Sequence, residues 1–140
     1  MVPIDLLLIL DLNHLHVDMF RMGNLGWPNF SEDRARKDVL IISVNGVETV
    51  IANGNGFSAF DHLTSTMRRP DRKIWRVKAG AQIDKRIRIV KDLRPGHEGH
   101  YMFAATQNMP LSDYLKVFDN LYQDKRYCRL LTSAEVHHGR

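Results

Sequence analysis

Cysteine is nearly absent. Cys128 stands alone among 140 residues, so no internal disulfide can form and cysteine-based metal clusters are excluded. It reads as a minor core residue. Long hydrophobic runs are missing too. The apolar stretch Leu6 to Leu10 is far shorter than the roughly 20 residues a bilayer requires, and Asp5 and Asp11 flank it, so no membrane partner is expected. Nor does that stretch read as a signal peptide, because no Lys or Arg precedes it and no small-residue cleavage site follows. Internal repeats and low-complexity segments are also lacking. The chain has no Gly-x-Ser-x-Gly elbow and no Walker loop. Asn53-Gly54-Asn55-Gly56 sets two glycines two apart without a third, which supports neither a P-loop nor a Rossmann reading.

What the chain does have is the make-up of one soluble globular domain spanning residues 1–140. Its hydrophobic content is 44% and its charged content 26%, which argues against wholesale disorder. The core is expected between about Val17 and Leu131, and either end beyond it could be frayed. A formal charge of +4 favours anionic partners, a category that includes nucleic acids, dinucleotides and acidic proteins. The basic runs Arg34 to Lys37, Arg68 to Lys73 and Lys85 to Arg88 read as solvated loops or strand faces.

The clearest local element is a hairpin over Val39 to Ala52, two Ile/Val-rich runs joined by Asn45-Gly46, the dipeptide that a two-residue type I′ turn demands. Its second strand leads into the Asn53 to Gly56 loop. From Ser58 to about Met67 the spacing of Phe60, Leu63 and Met67 predicts a helix that must stop before Pro70. Further strands are expected at Val17 to Met22, Ile74 to Lys78, Arg86 to Lys91 and Tyr101 to Ala105. In the Arg86 strand, Ile87 and Ile89 share a buried face, while Arg86 and Arg88 give the other a basic character. Pro110 opens an amphipathic helix whose Leu111, Tyr114, Leu115, Phe118, Leu121 and Tyr122 form a core-facing stripe. Strands with few long helices between them predict an α+β domain with a mostly antiparallel sheet.

The stretch Asn53 to His62 carries the most chemistry. Glycines followed by a helix start make a site where anionic oxygens can approach backbone N–H groups. Ser58 with Asp61 three residues on is also a capping-box-like pattern. His97-Glu98-Gly99-His100 invites a zinc reading, but its spacing is not that of a helical His-Glu-x-x-His motif and its glycines argue against a helix, so no metal centre is expected there. His100, entering a strand beside a glycine loop, is the better candidate of the two histidines for ligand binding or proton transfer. A loop-tying hydrogen bond is the plainer role. His14, His16, His137 and His138 read as surface residues. Trp27 and Trp75 could stack on a ring, though Trp75 in a strand fits the core.

In order, Phe20-Arg21-Met22-Gly23-Asn24, Gly56-Phe57-Ser58-Ala59-Phe60-Asp61, Ile74-Trp75-Arg76-Val77 with Gly80, and His100-Tyr101-Met102 ahead of Met109-Pro110 form a familiar succession. It resembles the small ADP-ribosyltransferase-like toxins delivered by bacterial type VI secretion, over roughly Phe20 to Leu121. The resemblance implies compact split antiparallel β-sheets with two or three helices, holding NAD between the sheets. It implies that Arg21 contacts the NAD phosphates or ribose, that Ser58 supports the nicotinamide ribose, that Phe60 packs beneath it and that Asp61 caps the helix. His100 and Tyr101 would lie on the strand that carries the catalytic acid. No Glu or Asp stands on Tyr101 to Ala105, where the glutamate of typical members belongs, and Glu98 and Glu135 are not on that strand. The implied partners are NAD, an unknown macromolecular acceptor and a cognate immunity protein. The chain would be cytoplasmic until it is delivered into a target cell without a signal peptide.

Two other readings suit the same residues. In a small basic metal-independent ribonuclease toxin, His100 would be the general acid or base and Arg86, Arg88 or Lys91 would steady the phosphate. In a non-catalytic binding domain Ser58 would be a plain cap, and the basic strand would face an acidic partner.

Overall fold

A computed structural model of the chain describes residues 1–138. In chain order, β1 (Leu7–Leu10) and β2 (Met19–Gly23) precede α1 (Glu32–Asp38). β3 (Ile41–Val44), β4 (Val47–Val50), β5 (Gly56–Phe60), β6 (Lys73–Val77), β7 (Ile87–Asp92) and β8 (His100–Ala105) follow. β9 (Met109–Pro110) leads into α2 (Leu111–Gln123), and β10 (Cys128–Leu130) and α3 (Ser133–His138) come last. The strands form a seven-stranded sheet, β1-β7-β8-β5-β2-β6-β10, and a three-stranded sheet, β3-β4-β9. Every strand pair in them is antiparallel. The mixed α+β, antiparallel architecture expected from the sequence is what the chain adopts.

The hairpin forms as expected, with Asn45 and Gly46 at φ 52° and 79° in its turn. So does the late helix. α2 buries Leu111, Tyr114, Val117 and Phe118 against one face of the large sheet, where Phe118 meets Phe57 and Phe30, each with ring centroids 4.9 Å away. A buried aromatic of this kind contributes roughly 1.5–3 kcal/mol through burial alone. Tyr114 also accepts a hydrogen bond from the Phe57 N–H at 3.0 Å and donates to the Phe103 carbonyl at 2.8 Å. Its hydroxyl thus joins β5 to β8 from beneath.

Four expectations are corrected. The stretch from Ser58 to Met67 is not a helix: Ser58 lies in mid-strand of β5, and Asp61 caps nothing. The reason is tertiary, since Phe57 and Ala59 alternate into the core and β5 zips along the wholly buried β8, which outweighs a local capping pattern. β7 does not have one buried and one basic face, because Val90 and Asp92 on its second face are buried as well. Val90 packs there with Val2, Met102 and Ala104. Both ends pack on the sheet rather than fray. β1 pairs with β7 along Leu7 to Leu10, Leu15 is buried, and Val136 of α3 packs on Met67 and Ile74. Finally, the basic run Arg34 to Lys37 is neither loop nor strand face but lies in α1. Ser31 caps it, its Oγ accepting from Arg34 N at 3.1 Å, with Glu32 and Asp33 in the first turn where the helix dipole favours acids.

Cys128 is fully buried in the core, and burial pushes its thiol up to about 11. His14, His16 and His137 are exposed, and the side chain of His138 lies outside the described residues. No helix among the described residues is long and apolar enough to cross a membrane.

Candidate functional site

Three neighbouring strands, β7, β8 and β5, build the site on the sheet face turned away from α2. Strand alternation puts every second residue on that face. In register, Phe60 stands opposite His100 and Lys91 opposite Tyr101. Asp92 therefore flanks His100 on one side and Phe60 flanks it on the other, with Ser58 two residues along from Phe60 on the same face. The side chains converge accordingly. His100 Nδ1 is 2.7 Å from Asp92 Oδ2, and His100 Nε2 is 2.8 Å from Ser58 Oγ. The Phe60 and His100 rings lie 5.0 Å apart, tilted at 34°.

The protons in this line follow from the chemistry of its ends. Asp92 has a fully buried side chain that also accepts from Arg94, whose Nη2 lies 2.7 Å from Oδ2 and whose Nε lies 3.0 Å from Oδ1. Burial works to raise the Asp92 carboxyl, but hydrogen bonds from Arg94 and His100 outweigh it and hold the group well below the usual carboxylate range. An ionised carboxylate only accepts, so the neutral His100 ring carries its proton on Nδ1. Nε2 is then an acceptor, and the Ser58 hydroxyl donates to it. The half-buried Ser58 is thus a polarised hydroxyl backed by a base, and the base is held in one tautomer by an acid.

The turn before β8 aims His100. Gly99 has φ 77°, and a Cβ there would lie 2.3 Å from Asp61 Oδ1 and 2.6 Å from His62 Nδ1. Asp61 N donates to the Gly99 carbonyl at 2.9 Å. Only glycine lets the turn sit this close to the end of β5.

No family model matches the chain, and no curated protein or solved structure does. Function is therefore argued from the site.

Of the residues singled out in the sequence, Ser58, Phe60 and His100 come together. Asp61 lies just beyond, its Oδ1 2.9 Å from His62 Nδ1. Tyr101 points to the opposite face, where burial raises its phenol and its ring meets His16 edge-on. Arg21 also points away and is only 5% exposed. Its Nε donates to Pro28 O at 2.7 Å and its Nη2 to Asn29 O at 2.8 Å, while Nη1 reaches the Ser58 carbonyl. The guanidinium lies over the Phe30 and Phe57 rings, and burial lowers its pKa to about 10, so it stays charged at neutral pH. What Arg21 touches is the backbone of Ser58.

Asp92 and Arg94 were missed. The signal was present, because Arg88, Val90 and Asp92 alternate on one face once the strand is carried one residue past Lys91. The structure also brings His97 to this corner. Asp92, His97 and His100 each offer a ligand atom within 4.8 Å of the others, through strand pairing rather than helical spacing. A cavity of about 740 Å³ lies elsewhere, between the sheet and the second half of α2, lined by Leu15, Ile87, Phe103, Val117 and Leu121 among others. It opens on the face opposite Ser58 and His100, so hydrogen-bond geometry, not cavity size, picks out the site.

Proposed function

We propose that the chain is an NAD-dependent ADP-ribosyltransferase-like toxin and that Ser58 and His100 are its reacting pair. One observation carries the reading. Two of the residues that the family resemblance makes functional, Ser58 and His100, 42 positions apart in sequence, meet side chain to side chain at 2.8 Å, whereas Arg21 and Tyr101 lie on the other face. The sheet adds support. β2 and β5 are joined by a single residue pair, Phe20 with Phe60, a narrow junction that suits the split-sheet NAD fold the resemblance implies.

In this reading the Ser58 oxygen accepts a hydrogen bond from the hydroxyl of the acceptor while its own proton leans toward His100 Nε2. As the bond between ribose carbon and nicotinamide nitrogen breaks, the acceptor oxygen forms the new bond to that carbon. The acceptor's proton passes to Ser58, and the Ser58 proton passes to His100. Nicotinamide leaves neutral, taking the bonding electron pair. Asp92 steadies the imidazolium that results, supplying from the neighbouring strand a carboxylate that β8 itself lacks. Phe60 packs beside the His100 ring. Arg21 is a positioning residue that holds the Ser58 backbone from below.

Incubation of the purified protein with NAD and bacterial lysate tests this. Nicotinamide release and a modified macromolecule are expected, with the rate falling at least about 100-fold in Ser58→Ala. No turnover together with no NAD-induced rise in melting temperature would sink the reading.

The line Ser58, His100, Asp92 favours one second reading, that of a serine nucleophile with its base and orienting acid in acyl transfer. Ser58 sits in mid-strand, not on a strand-to-helix elbow with exposed N–H groups for an oxyanion. Hydrolysis of p-nitrophenyl acetate with no NAD present, lost in Ser58→Ala, would favour it.

A further inference from the structure

Basic charge is spread unevenly over this molecule. Arg68 to Lys78 hold six Lys and Arg against Asp71 alone, a net charge of +5 in a chain whose total is +4. Elsewhere the arginines are mostly neutralised, for Arg34, Arg36, Arg86, Arg94 and Arg126 each bind a carboxylate. Within Arg68 to Lys78, among the described residues, only Arg72 has one, Asp71 at 4.0 Å. Arg76 is the extreme case. It stands directly across from Arg129 of β10, where like charges repel, and its Nε is shut off from solvent with no hydrogen-bond partner among the described residues. Arg129 has Glu135 at 2.9 Å, whereas Arg76 has no carboxylate. A guanidinium in that state takes an anionic oxygen, for which its planar fork is suited.

The kind of anion follows from what the patch lacks. An interface with another protein is built around an apolar or aromatic centre, but none of the exposed large hydrophobic side chains falls within Arg68 to Lys78 or on β10. Recognition there is electrostatic, which is how a phosphodiester backbone is held. The patch also faces the right way. His100, Phe60, Phe20, Arg76 and Arg129 are register partners across β8, β5, β2, β6 and β10, so Arg76 and Arg129 share the sheet face of the Ser58 and His100 pair. Three strand spacings of about 4.8 Å put Arg76 about 14 Å from His100, within the span of a few nucleotides. We propose that this patch binds the backbone of an RNA strand and that the RNA is the acceptor presented to Ser58. The reaction needs a hydroxyl, and RNA, unlike DNA, carries a 2′-hydroxyl on every nucleotide. That oxygen forms the new bond to the NAD ribose carbon as the bond to nicotinamide breaks. Its proton passes to Ser58, the Ser58 proton passes to His100, and nicotinamide leaves with the electron pair. The acceptor half of this inference rests on the functional reading above, and the binding half does not.

Both halves are tested on the full chain. Fluorescence anisotropy with a short labelled RNA should show affinity that falls steeply with salt. In the double variant Arg69→Gln, Lys78→Gln, at two exposed positions, affinity should drop at least about tenfold and the salt dependence should be shallower by about two phosphate contacts. Lys116→Gln, on α2 across the sheet, should bind as wild type does. A polyglutamate peptide, in place of an acidic protein, should bind far more weakly than RNA. With NAD labelled in its adenylate half, the label should pass to RNA in wild type and not in Ser58→Ala, and DNA blocked at its 3′ end should take none. RNA affinity untouched by the double variant, or polyglutamate bound as tightly as RNA, would overturn the surface. Label on the blocked DNA, or on protein in a lysate in place of RNA, would overturn the acceptor half alone. RNA bound as described by a protein that releases no nicotinamide would support the surface and count against the functional reading, and the acceptor half would fall with that reading.

Discussion

The two faces of the seven-stranded sheet are made by the same strands and serve different ends. On one, Phe57 and Phe103 meet Tyr114 and Phe118 of α2 in an aromatic layer, and a charged side chain drawn into it, Arg21, is bound by three backbone carbonyls. On the other, two small apolar groups, one around Val90 and Met102 and one around Met67 and Ile74, cover the ends. Between them runs a polar line from the buried Asp92 through His100 to the half-buried Ser58. The face on which α2 packs gives stability, whereas the other leaves a hydrogen-bonded chain with one end within reach of a ligand. The first should fail by unfolding and the second by losing activity while the protein stays folded.

The sharpest break of that contrast is Phe118→Ala. It should cost about 4 kcal/mol of stability in urea denaturation by opening the aromatic layer, and a loss under about 1 kcal/mol would mean that the layer does not carry the core. Arg21→Met comes next, at about 3 kcal/mol, because the carbonyls of Pro28, Asn29 and Ser58 lose their donor in a buried place. It is the one substitution expected to damage both faces, since Ser58 is held through its carbonyl. Gly99→Ala should cost about 2 kcal/mol, from a left-handed backbone angle and contact with Asp61, and should slow the reaction by turning His100 out of line. Unchanged kinetics in a folded Gly99→Ala protein would show that the turn does not aim the ring.

The smallest effect is electrostatic. The Asp92 carboxyl is held below its unfolded value of about 3.9, so its stabilising contribution is fully present above that value. It fades as pH falls through the lower folded one. The stability gap between wild type and Asp92→Asn should therefore narrow as pH falls below about 4. A gap that instead widened on acidification would mean that Asp92 is protonated in the native state.

How far the sequence speaks depends on whether an element is fixed locally. The Asn45-Gly46 hairpin and the stripe of α2 were legible because turn chemistry and helical period decide them within a few residues. β5 was not, since Ser58 to Asp61 imitates a cap and Phe60, Leu63 and Met67 imitate a helical face. The deciding term is pairing with β8, 40 or more positions on, which no local window contains. Ser58 and His100 were readable as individual residues, but their contact was not. Asp92 was lost by ending β7 one residue early, and the cover that the N-terminal segment provides hid that the second face of β7 is buried. The Ser31 cap of α1 stands in plain view in the sequence, ahead of a basic run that reads as loop or strand face.

A double-mutant cycle on nicotinamide release from NAD goes most directly to the claim that Ser58 and His100 act as one unit. Ser58→Ala, His100→Gln and the combination are compared with wild type, all checked for native melting. If the pair relays one proton, each single change removes most of the rate and the double variant is no slower than the slower single one. Losses that multiply independently, or a His100→Gln protein that releases nicotinamide at the wild-type rate, would contradict it.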